Sequence, residues 1–79
     1  MTMNKDRRKA IAESIERIQS EIENLRALAE EEQEYADNMP ENMQGSEKHD
    51  MAEELANNMQ SYIDEIETAI QSIEEEVNQ

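Results

Sequence analysis

Residues 34–47 read EYADNMPENMQGSE and hold the chain's one proline, Pro40, and its one glycine, Gly45. Pro40 has no N–H to donate and its ring clashes with the turn before it, so no helix runs through this point, and Met39 is pushed out of the α region. The same ring suits the first position of a short turn, PENMQ, which Gly45 can close in a left-handed conformation. Ser46 is then an N-cap for a second helix, with Glu47 well placed in its first turn. His49 stands where a capping box would need Glu or Gln. The segment is punctuation between two long helices, and the spacing predicts helix 1 at about 5–37, a turn at 38–46 and helix 2 at about 47–77.

The flanks carry the matching periodicity. Ile11, Ile15, Ile18, Ile22, Leu25, Ala29, Glu32, Ala36 and Met39 are spaced alternately by four and three, the pattern of one apolar seam along a helix. Glu32 is its single fault, readable either as a carboxylate snorkelling to water or as a polar site that sets register or meets a partner. After the turn the stripe runs Met51, Leu55, Met59, Ile63, Ile66, Ile70, Ile73 and Val77, with Tyr62 and Ala69 beside it. Its opening run of fours drifts around the axis, so the stripe is broad enough to touch more than one neighbour. The predicted fold is all-α, an antiparallel αα-hairpin of two helices, each about 45 Å long.

Length makes this a single domain that is marginal alone. With 79 residues, 35% of them hydrophobic, no Phe or Trp and only Tyr35 and Tyr62 as aromatics, the core must come from Ile, Leu, Met and Ala. No cysteine is present to staple it. Self-association is the remaining route, and a dimeric four-helix bundle is the expected homo-oligomer. Folding near residue 43 would set the basic start, Lys5, Arg7, Arg8 and Lys9, beside Glu74, Glu75 and Glu76. It would also set Ile11 by Ile73 and Val77, and Ile18 by Ile66 and Ile70. No run approaches the ~20 apolar residues that span a bilayer, and the start has no apolar signal core, so a cytoplasmic protein without membrane contact is expected.

Catalytic and metal-binding patterns are missing. There is no thiol, and His49 is the sole histidine, with no Ser–His–Asp set around it and no Glu three positions earlier to form a bundle metal motif. A surface histidine is the simpler reading. No EF-hand, zinc or Gly-rich phosphate pattern occurs, and no cofactor is expected. What remains is charge: 21 acidic against 7 basic residues, net −14. Such a chain repels nucleic acid and anionic lipid, and its partners are basic surfaces, cations or further copies of itself. Over a rod of about 45 Å this is roughly one charge per 3 Å, against one per ~1.7 Å in duplex DNA.

The central motif, Glu34, Tyr35, Asp37, Asn38, Met39, Pro40, Glu41, Asn42, Met43, Gln44, Ser46 and Glu47, resembles that of small acidic helical proteins encoded in phages and prophages. The likeness covers residues 30–79, and helix 1 only in style; Met43, where Leu is usual, and Gly45 depart from it. The resemblance implies a mobile-element origin, and by class an inhibitor of a host defence or nucleic-acid-binding complex.

Three functions follow as expectations. The first is a non-enzymatic acidic protein that binds the basic surface of a host protein as a DNA mimic, through exposed acids near the turn: Glu30, Glu31, Glu34, Asp37, Glu41 and Glu47. The second is an oligomer that sequesters a small ligand such as a cyclic nucleotide, for which Arg17, Arg26, Lys48, Tyr35 and Tyr62 are the candidate contacts. The third is a virion structural or assembly element.

Overall fold

The computed structural model describes residues 4–78. Helix α1 spans Lys5–Asp37, a single 3-10 turn occupies Glu41–Met43, and helix α2 spans Glu47–Val77; the described residues contain no strand. The two helices lie against one another over a body 63 Å long and only 15 by 12 Å across.

Each boundary has a local cause. Asn4 caps α1, its Oδ1 accepting from the Asp6 N–H at 2.7 Å and the Arg7 N–H at 3.4 Å. At the other end the Asn38 N–H donates to the Glu34 carbonyl at 2.9 Å, after which Pro40 stops propagation. Gln44 then reaches back, its Nε2 donating to the carbonyls of Met39 in the turn at 2.8 Å and of Ala36 in the last turn of α1 at 3.4 Å. Gly45 takes φ +80°, and Ser46 caps α2 by accepting from the His49 N–H at 3.2 Å, both as the turn chemistry predicts.

The interface repeats every seven residues. Ile15, Ile22, Ala29 and Ala36 are buried on α1; His49, Ala56, Ile63 and Ile70 are buried on α2, with Ala52 beside them. Seven residues are nearly two turns, so such a series keeps one stripe facing a partner helix along its whole length. Ile15, Ile22, Ile63 and Ile70 form the core, and Ile11, Leu25 and Met59 pack against it. The end away from the turn is therefore built on isoleucine and the turn end on alanine. Glu32, the acid in the seam, is half-buried.

Three details depart from the sequence reading. The register lies one to two helical turns further along α2: Ile22 shares a cleft with Ile70, and Ile15 shares the next with Val77. Alanine at the turn end and isoleucine at the other are matched in this alignment. One consequence is that Glu74 accepts from Gln19 Nε2 at 3.2 Å, in place of the expected basic start of α1. Second, the buried apolar positions at the start of α2 are Ala52 and Ala56, whereas Met51 is 63% and Leu55 50% exposed. The seam keeps its three–four alternation through His49, Ala52, Ala56, Met59 and Ile63, and the run of fours leaves it. Ile18, Ile66 and Ile73 are also exposed. Third, His49 is no surface residue: it occupies the first seam position of α2 and is buried.

Candidate interaction face

Successive helix residues advance by about 100°, so positions relative to the buried stripe fix which way each side chain leaves the hairpin. Residues one and four places after each buried position leave on one side. Cross-helix contacts confirm that these sides coincide in the two helices: Gln19 and Glu23 line one cleft with Glu67 and Gln71, and Gln19 bonds Glu74.

That side is acidic. On α1 it carries Glu16, Glu23, Glu30 and Asp37, seven residues apart and all exposed. On α2 it carries Asp50, Glu53, Asp64, Glu67 and Glu74, of which Glu53, Glu67 and Glu74 are half-buried. A seven-residue step is about 10.5 Å of rise, so the α1 carboxylates form a regular row, and those of α2 form a second, broken row in which Asn57, Gln60 and Gln71 take three places. Arg26 is the basic residue among them. Its Nη2 donates to Asp64 Oδ1 at 3.1 Å, its Nε to Glu67 Oε1 at 3.2 Å, and its Nη2 reaches the same Glu67 oxygen. The hydrogen bonds to Glu67 and then Asp64 hold the guanidinium pKa above its ordinary value. Sequence reasoning did not single out this clamp. Its signal was positional: Arg26 stands four after Ile22, and Glu67 four after Ile63.

Of the six acids singled out in the sequence, all are exposed, but they do not converge. Glu30 and Asp37 stand in the α1 row, where Asp37 accepts from Gln33 Nε2 at 3.0 Å. Glu31, Glu34 and Glu47 leave from the backs of their helices, and Glu41 lies in the 3-10 turn.

Nor do the contacts considered for a small ligand assemble. Arg26 is held by Glu67 and Asp64, and Arg17 Nη2 donates to Ser14 Oγ at 3.1 Å. Lys48 is exposed beside the turn, and Tyr35 and Tyr62 are exposed on the opposite side of the hairpin from Arg26. The two clefts along the seam hold about 270 and 200 Å³ and are open to solvent. Both fall below the ~300 Å³ at which ligand sites usually begin, and carboxylates on their walls oppose an anionic nucleotide.

At the turn, His49 Nδ1 lies 3.4 Å from the Gly45 N–H, 3.2 Å from Asp50 Oδ1 and 3.7 Å from Glu53 Oε2. A neutral ring with Nδ1 unprotonated accepts from Gly45; a ring carrying a proton there faces the two carboxylates. His49, Asp50 and Glu53 offer ligand atoms within 4.8 Å of one another. No described helix is long and apolar enough to cross a membrane. No protein-family model matches the chain, and neither a curated protein nor a solved structure does.

Proposed function

We propose that the protein is a non-enzymatic acidic interaction protein whose carboxylate side occupies a basic protein surface that otherwise grips nucleic acid. The observation that carries this reading is the pair of carboxylate rows on one side of a stiff hairpin, with their one guanidinium already neutralised by Glu67 and Asp64. A basic groove meeting that side gains many weak, additive attractions, as it does along a phosphate backbone. Fourteen net negative charges over 63 Å are roughly one per 4.5 Å, sparser than the ~1.7 Å of duplex DNA, so a single hairpin competes by local concentration of charge and two paired hairpins compete better. The phage-type motif at residues 34–47 fits a target within a host defence or nucleic-acid-handling complex in the cytoplasm, and the function needs no cofactor.

The test is displacement. A fluorescently labelled duplex bound to a non-specific DNA-binding protein is titrated with the hairpin, and anisotropy is followed at low and physiological salt. Displacement is expected, weakening as salt rises. The variant E16Q/E23Q/E30Q/D37N should lose about tenfold in potency while keeping its helical circular dichroism. Equal potency of the two proteins, or no displacement by either, overturns the reading.

A further inference from the structure

The side of the hairpin opposite the carboxylate rows is largely apolar, and none of the described residues covers it. Residues three and six places after each buried position leave on this side. They include Ile18, Leu28 and Tyr35 from α1 and Leu55, Tyr62 and Ile73 from α2, all exposed, with Tyr62 at 61% and Leu28 at 53%; Glu21, Glu32 and Glu76 share the side with them. Both helices therefore contribute to a single flat face, which is larger than the scattered apolar residues of an ordinary soluble surface.

We infer that this face is covered by a second copy of the same chain, packed face to face with its turn at the opposite end. Two observations choose the occupant and its orientation. The first is area. A compact protein of 9.2 kDa exposes about 4,900 Å², whereas this chain exposes 6258 Å². The excess of about 1,300 Å² per chain is, doubled, an obligate homodimer interface, and covering it restores the surface normal for this mass. Among the described residues no large side chain of a single hairpin is completely enclosed, so a second copy would complete the core.

The second observation is the distribution of charge along the hairpin. Residues 30–50, at the turn, carry eight carboxylates against the single Lys48. At the other end, residues 5–17 carry five basic and three acidic residues, nearly balancing Glu74, Glu75 and Glu76. A dimer with both turns together stacks two strongly negative ends. A dimer with the turns apart places each acidic turn over the partner's basic start, so a two-fold axis perpendicular to the helices is selected. That axis lays α1 against the partner's α1 and α2 against the partner's α2, leaving the carboxylate sides outward on both flanks. The inference stands whether or not those sides bind a basic protein.

Sedimentation equilibrium of the unmodified protein at tens of micromolar, with spin-label distances on the exposed variant Lys48→Cys, tests both parts. The expected result is a dimer whose two labels are about 40 Å or more apart, since α2 alone is about 46 Å long. A monomer overturns the proposal and leaves the face to another partner; a dimer with labels within about 20 Å overturns the orientation. The double variant L28E/Y62E then tests the face. Both residues are exposed in one hairpin, so neither charge disturbs the seam between α1 and α2. Loss of the dimer, with or without loss of helix, supports the face; a persisting dimer overturns it.

Discussion

Arg26 and Glu67, 41 positions apart in the chain, are joined across the hairpin, with Arg26 Nε donating to Glu67 Oε1 at 3.2 Å and Asp64 completing the clamp. Both residues stand four places after a buried isoleucine, so the pair spans the seam at one level and forms only in the observed alignment. A shift of α2 by one turn would separate them by about 5 Å of rise.

Arg26→Met should therefore loosen register more than it lowers stability, because the pair is open to solvent and exposed ion pairs contribute little. We expect a small fall in melting temperature that vanishes at high salt, and faster amide exchange along the middle of α2. Unchanged exchange would show that the isoleucines alone hold the alignment.

Ile63 is the most enclosed isoleucine of the core, at 2% exposure, and removing its side chain leaves a gap between two helices that cannot close around it. Ile63→Ala should cost about 2–5 kcal/mol, read as a lowered urea midpoint at fixed protein concentration. For a chain this small that is a large share of total stability, and the variant should be partly unfolded at room temperature. A shift no larger than that of an exposed alanine substitution would contradict the seam.

Ala36 and Ala56 test the opposite end. Each is fully or almost fully enclosed, and each belongs to the seven-residue series of its helix. With nothing beyond Cβ, they let the helices approach closely just before the chain reverses. Ala36→Leu should destabilise by about 1–3 kcal/mol through overpacking, although leucine is apolar and a good helix former. A stabilised variant would mean that the helices splay at the turn.

The turn and the α1 seam were legible because their signals are local or strictly periodic. Pro40, Gly45 and Ser46 act through the backbone of their own neighbourhood, and the three–four alternation from Ile11 to Met39 has one fault. The start of α2 was not, because apolar size and burial disagree there. Met51 and Leu55 are the larger side chains, yet Ala52 and Ala56 face α1, and only the close approach of the helices makes alanine the better fit. The register was off by one to two turns because two regular seams can slide by whole turns and still match apolar to apolar. The acidic side could be read as charge but not as a face: Glu30 and Asp37 join a row that Glu31, Glu41 and Glu47 leave, and the difference is angular position around a helix whose inward direction the composition does not reveal.

Gly45 isolates the backbone's part in closing the hairpin. Its φ of +80° lies where residues with a Cβ are disfavoured, and a Cβ added there would meet nothing within 4 Å. Gly45→Ala therefore introduces no clash, and its cost, about 1–2 kcal/mol, is the conformational penalty alone. Gly45→Asn should recover part of it, because asparagine tolerates this region better. Ser46→Ala, one residue on, should cost about 1 kcal/mol through loss of the bond from the His49 N–H, and asparagine or aspartate at 46 should restore it. Urea midpoints for the five variants at one protein concentration separate the two effects. If Gly45→Ala proves as stable as the parent while Ser46→Ala does not, α2 is still capped but residue 45 has left the left-handed region. The segment would then serve as an open hinge, with the helices exchanged between copies.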